Sequence, residues 1–262
     1  MHTLRNISDR VLAALTFFTR LPLKCRSAEA FRHVVPLWPL AGWLTGGAMA
    51  GVFLLARCVG LNTELSVLLA IMGRVLLTGA LHEDGLADFF DGFGGGNTRE
   101  RTLAIMKDSH IGTFGVLGLL GYGLLLLHLL TALMRGGVSP LVMVCGDVAC
   151  KFIASTVVWF LPYARSEEKS KNGFVYARPT VAERVTGGVM AVLPVLLAKL
   201  FVLDISFCGW LSGFFFAEIL CLLLILLMRR RIGGYTGDCC GATFLLAEAG
   251  FYLAMLVVIQ NG

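Results

Sequence analysis

The chain has 262 residues, 57% of them hydrophobic and 15% charged, with a mean hydropathy of +0.80. A soluble domain carries about 45–50% apolar and about 25% charged residues, so the composition points to a bilayer and leaves no stretch for a separate soluble domain. The net charge of +5 is accounted for by topology and anionic lipid, and gives no reason to expect nucleic acid as a partner.

In chain order, residues 10–22 are too short and too charged to span and read as an amphipathic segment on the membrane surface. No signal-peptide pattern opens the chain, so no removable leader is expected. Apolar runs long enough to cross (about 20 residues) fall near 35–57, 63–81, 112–134, 139–161, 185–203, 207–228 and 241–260. No repeat or linker divides them. The expected fold is all-α, a single polytopic membrane bundle over residues 1–262 with about seven transmembrane helices and an N-terminal interfacial helix. Seventeen of the 22 Lys and Arg residues fall in the first 34 residues and in the segments 82–111, 162–184 and 229–240. The positive-inside rule therefore puts the N-terminus and the long loops in the cytoplasm and the C-terminus outside.

The segment 82–96, HEDGLADFFDGFGGG, sets Glu83, Asp84, Asp88 and Asp91 at the end of an apolar run. At helical spacing the three aspartates share roughly a 60° arc. Like charges that close repel unless a cation sits among them, and acids near hydrocarbon are costly. Oxygen ligands select a hard divalent metal, Mg²⁺ or Mn²⁺. A solvated helix end explains one or two carboxylates less awkwardly than four over nine positions. Glycines 92 and 94–96 then end the helix. Asn97 with Glu100 signals a short surface helix over Thr98–Asp108, carrying Arg99, Arg101 and Lys107. A reversal at the glycines would bring Asp108 back to the level of the acids, as metal ligand or general base. Gly112, Gly115, Gly118 and Gly121 recur every three residues and invite close approach by another helix.

Further along, Asp147 and Lys151 lie one turn apart and read as a structural pair. Arg74, Glu218 and Glu248 are expected to line the bundle interior, and His128 to be packed. Arg165, Lys169, Lys171 and Arg178 form a basic loop suited to topology or to phosphate-bearing groups. The tract Arg229–Asp238, RRRIGGYTGD, joins arginines to a glycine-rich loop whose N–H groups suit phosphate oxygens. The eight cysteines show no CxxC spacing, so no disulfide framework is expected. Cys239 and Cys240 beside Asp238 are a minor soft-metal candidate.

Taken together, LLTGALHEDGLADFFDGFGGG, RTLAIMKDSHIGTFG and RIGGYTGDCCGA closely resemble the membrane family of adenosylcobinamide-GDP ribazoletransferases, the cobalamin synthases. LAALTFFTRLPL, VVPLWPLAGWLTGG and Pro162–Arg165 (PYAR) extend the likeness over nearly the whole chain. The resemblance implies an enzyme of the bacterial cytoplasmic membrane with its active site facing the cytoplasm. It would join adenosylcobinamide-GDP to α-ribazole or its 5′-phosphate with release of GMP and with Mg²⁺ as cofactor. In that reading Asp84, Asp88, Asp91 and, as a further candidate, Glu83 bind Mg²⁺, and Asp108 is ligand or base with Lys107 beside it. Arg99, Arg101 and Lys107 contact the phosphates or the guanosine end, and Arg231 with Gly233, Gly234, Thr236, Gly237 and Asp238 closes over the substrates. Monomer and homo-oligomer are both left open. A CDP-alcohol phosphotransferase would want an arginine where Asp88 stands and a second aspartate motif that is missing. An ion-coupled transporter would place its acids near the midplane, not at one face.

Overall fold

A computed structural model describes residues 2–25, 27–166, 173–201 and 207–261. Among these the chain is helical throughout, with one isolated bridge between Tyr163 and Tyr235. Lys169 and Lys171 lie outside the described residues.

The first helix, α1 (His2–Phe18), buries Ala13, Ala14 and Phe18 on one side. It begins earlier and ends earlier than the hydropathy of 10–22 implies. Arg10 ties it down by donating to the His33 carbonyl (2.9 Å) and to Glu183 (2.5 Å). Two short 3₁₀ turns lead into α2 (Trp38–Cys58), followed by α3 (Thr63–Thr78), α4 (Leu81–Gly95) and the short α5 (Arg99–Ile105). The remaining helices are α6 (Thr113–Arg135), α7 (Leu141–Phe160), α8 (Val181–Phe201), α9 (Phe207–Ile232) and α10 (Gly237–Asn261). Among the described residues six helices are long and apolar enough to cross a membrane, and a seventh crossing results if α3 and α4 count as one broken span. The polar connections gather at one end of the bundle, where Arg20, Arg99 and Arg231 reach across to neighbouring segments.

The expected continuous span over 63–81 is broken, because α4 turns away from α3 by 90°. Local chemistry explains the break. The Gly79 and Ala80 N–H groups donate back to Leu76 and Val75, a Schellman ending that requires a left-handed residue after the helix. Both residues are left-handed, Gly79 at φ +64° and Ala80 at φ +58°. At Gly79 the Arg20 side chain crosses so closely that a Cβ would have to displace it. The acidic segment is therefore a separate helix laid across the end of the bundle.

Inside the bundle, Gly42 and Gly46 of α2 meet the α7 backbone; a Cβ at Gly42 would sit 2.7 Å from the Val148 Cα and one at Gly46 2.8 Å from the Met143 carbonyl. That approach seats Thr45 2.9 Å from Asp147, whose other oxygen takes the Lys151 ammonium. Arg74 grips Glu248 through both guanidinium nitrogens (2.5 and 2.9 Å) and lies 3.5 Å from Asp147, while Tyr122 donates to Glu248 at 2.6 Å. Two cations and two anions thus neutralise one another in the buried core. The Asp147–Lys151 pairing and the inward placement of Arg74 and Glu248 match the sequence reading. Glu218 is half-buried, and His128 is exposed on α6, where it donates to the Leu124 carbonyl within its own helix. All eight cysteines are unpaired.

Candidate active site

The α4 and α10 helices pack against each other through their first turns. Gly85 makes this possible, since a Cβ there would stand 3.0 Å from the Asp238 carbonyl and 3.1 Å from its Cα. Gly241 stands opposite His82 with ordinary van der Waals room for a Cβ. Thr236 caps α10, its hydroxyl accepting the Cys239 N–H at 3.4 Å, so that Asp238 falls in the first turn. Asp84 and Asp88, one turn apart on α4, face it. Carboxylate oxygens of Asp84, Asp88 and Asp238 all lie within 4.8 Å of one another. Two helix N-termini converge on these acids, and their peptide dipoles offset part of the repulsion.

The donor set suits a small hard cation. An octahedral Mg²⁺ with ligands at about 2.0–2.1 Å wants oxygens separated by about 2.9 to 4.2 Å, and these three need only a slight closing. Among the described residues this is the one group of three or more metal-ligand side chains that meets. Cys239 and Cys240 are buried beside Asp238 but do not belong to the group, and Cys240 lines the neighbouring cleft.

Several expected site residues serve the scaffold instead. Asp91 shares the helix face of Asp84, but seven residues of helix put it about 10 Å further along the axis. Its two oxygens accept the Gly112 and Gly115 N–H groups at 2.7 and 2.8 Å, capping α6 from the side. Gly112, Gly115 and Gly118 do abut α4, whereas Gly121 faces open space. Glu83 does not join the acid group either. Arg99 donates to the Ile232 and Ala164 carbonyls (2.9 and 2.7 Å), and Arg231 donates to those of Phe93 and Gly96. Both arginines clamp loops. The Gly233 N–H, offered by the sequence as a phosphate donor, is spent on Met228 (3.1 Å) and the intervening Tyr235 N–H on Pro162 (2.9 Å), and Gly234 lies tight against Pro162. The strand-like bridge holds the PYAR segment beside the α10 N-terminus.

The short surface helix spans Arg99–Ile105 and not the full Thr98–Asp108; Thr98 caps it by accepting the Arg101 N–H at 3.2 Å. The reversal brings the chain back only to the level of Gly92 and Asp91, where Met106 and Gly112 pack. Lys107, Asp108 and His110 are exposed, and Asp108 is not part of the acid group. The hydrogen bonds from the His110 ring (2.6 Å) and backbone N–H (3.0 Å) hold its carboxyl below the usual carboxylate range. Arg101 is exposed nearby.

Asp84 and Asp238 form one edge of a cleft with roughly 730 Å³ of open space. Its walls bring in residues the sequence reading had assigned elsewhere or passed over. Lys151 reaches it from the core network, its ammonium 3.8 Å from the Phe244 ring centre. Arg165 reaches it from the PYAR segment while donating to the Leu103 carbonyl at 2.9 Å. His82, the first residue of the acidic stretch, lines it from α4. Membership in the HEDG and PYAR strings was the available signal for His82 and Arg165; nothing local marked Lys151.

A family model described as cobalamin-5-phosphate synthase matches residues 10–256. The chain belongs to that family. It is 37% identical to the adenosylcobinamide-GDP ribazoletransferase of Vibrio cholerae serotype O1, covering 98% of this chain and 97% of the relative. Proteins of the same description from Shewanella woodyi and Ralstonia pickettii are each 35% identical over 98% of this chain, and 98% and 96% of their own lengths. No solved structure matches. The motifs that carry the family likeness are the ones that build the site: HEDGLAD supplies α4, PYAR the cleft wall and GGYTGD the start of α10.

Proposed function

We propose that this protein is a membrane-embedded adenosylcobinamide-GDP ribazoletransferase. It would transfer adenosylcobinamide phosphate to α-ribazole or its 5′-phosphate with release of GMP, and work at the cytoplasmic face of a bacterial inner membrane. The observation that carries the reading is the convergence of Asp84, Asp88 and Asp238 at the edge of a cleft that also holds Arg165 and Lys151. Its ribazoletransferase relatives supply the substrates.

Displacement at a diphosphate requires that negative charge on the transferring and leaving oxygens be neutralised and the attacking hydroxyl be held in line. Asp84, Asp88 and Asp238 would hold Mg²⁺, which when bound supplies that neutralisation. A ribose hydroxyl of the acceptor forms the new bond to the cobinamide-linked phosphorus, the bond to the GMP oxygen breaks, and the hydroxyl proton passes to a base or to water. Arg165 and the N-terminus of α10 add positive potential beside the diphosphate. Asp108, kept ionised by His110, stands away from the three acids at the level of Asp91, so the proton passes to water there, and Lys107 and Arg101 are exposed cations for the guanosine phosphate. A transporter reading gains nothing from acids at the polar end of the bundle.

The test uses purified protein in lipid nanodiscs with both substrates. The reading expects GMP release in step with cobalamin formation, dependent on Mg²⁺ and abolished in Asp84→Asn and Asp238→Asn variants that remain folded. Full activity in those variants, or solute flux across sealed vesicles without product, refutes it.

A further inference from the structure

The cleft beside the acids is walled by six aromatic rings, those of Phe17, Phe18, Trp38, Tyr163, Tyr176 and Phe244. Phe17, Tyr176, Trp38 and Phe18 follow one another edge to face, with ring centres 6.0, 5.6 and 5.7 Å apart. They come from α1, the segment before α8, and the start of α2, and carry the apolar core up to the acidic end of α4. Two polar atoms on this wall, Nε2 of His82 and Nε1 of Trp38, have no hydrogen-bond partner among the described residues, although both side chains are almost wholly buried (4% and 3% exposed). A buried polar group left unpaired costs about 1–3 kcal/mol; both atoms are closed off from solvent, so the rings around them must part for a ligand to supply the missing partner.

We infer that this cleft is the acceptor subsite, holding the flat heterocycle of the ribazole nucleoside with its ribose directed at Asp84 and Asp238. The assignment rests on the ribazoletransferase reading and adds which substrate goes where. A benzimidazole is an apolar fused bicycle with one free ring nitrogen, and it matches stacking surfaces plus one or two polar atoms. Guanine carries an N1–H and an amino group that need acceptors, and the carboxylates on this wall are the two already assigned to the cation. The Lys151 ammonium is committed to Asp147 and Thr45. The cleft, whose roughly 730 Å³ of space includes its open mouth, is too confined for a corrin ring with its side chains and axial ligand. The donor substrate would then approach from outside, presenting only its diphosphate.

Binding is measured apart from chemistry by titrating nanodisc protein in EDTA with α-ribazole and following tryptophan fluorescence. A saturable change is expected that is absent in Trp38→Phe and is not displaced by GMP. In steady state, Tyr176→Ala should raise KM for α-ribazole about tenfold, the lower range for one base–aromatic stack, with KM for adenosylcobinamide-GDP unchanged; Tyr176→Phe should restore it. Displacement by GMP, a rise confined to the KM of the cobinamide substrate, or equal rises in both would overturn the assignment. Saturable α-ribazole binding without any turnover would instead strike the transferase reading and leave the subsite standing.

Discussion

Replacing Asp238 by asparagine separates the structure's account of the metal centre from the one the helix wheel gives. With oxygens up to 4.8 Å apart, each pair of charges repels by about 1 kcal/mol in water-like surroundings and about 3.5 kcal/mol at the dielectric typical near a protein surface. The substitution would remove two of the three pairs. Asp84 is exposed and the converging helix N-termini offset part of the charge, so the lower figure governs and relief of about 2 kcal/mol is expected. In EDTA, Asp238→Asn should therefore melt above the parent protein. Addition of Mg²⁺ should reverse the order, because the parent gains about 2.7 kcal/mol at a hundredfold excess over Kd and the variant loses most of that gain. Asp91→Ala supplies the opposite pattern: two α6 N–H groups lose their acceptor, at about 1–3 kcal/mol each, and stability falls equally with and without Mg²⁺. The readout is thermal unfolding of nanodisc protein across a Mg²⁺ titration. An Asp91 variant that loses the Mg²⁺ response, beside an Asp238 variant that keeps it, would refute the assignment of ligands.

Other expectations follow from particular contacts. Gly85→Val should abolish activity in a protein that still inserts, since its Cβ falls 3.0 Å from the Asp238 carbonyl and must push α10 away; Gly121→Ala, facing open space, should be silent in the same assay. Arg74→Ala should cost about 3–5 kcal/mol by leaving Glu248 buried without its cation, measured as loss of folded protein in a denaturant titration. Asp108 stands away from the three acids, so His110→Ala, which removes the ring hydrogen bond that holds its carboxyl down, should leave the acid limb of the kcat/KM profile in place. A shift of that limb to higher pH would make Asp108 the base after all.

The sequence alone determined the membrane class, the approximate crossings, the polar end of the bundle and the acidic stretch of α4, because hydropathy, charge bias and helical spacing are properties of contiguous residues. It also read the Asp147–Lys151 pair correctly, four residues apart on one helix. What it could not determine was which charged groups meet across helices. Two left-handed residues at Gly79 and Ala80 swing α4 through 90°, and Gly85 lets α10 close on it. Those two local facts move the third acid of the cluster from Asp91, its neighbour on the wheel, to Asp238 on another helix far along the chain. The same folding commits Arg99 and Arg231 to carbonyls and brings Lys151, Arg165 and the rings of α1 to the cleft. Spacing along a helix fixes the direction of a side chain, but only the packing of one helix on another fixes what stands in front of it.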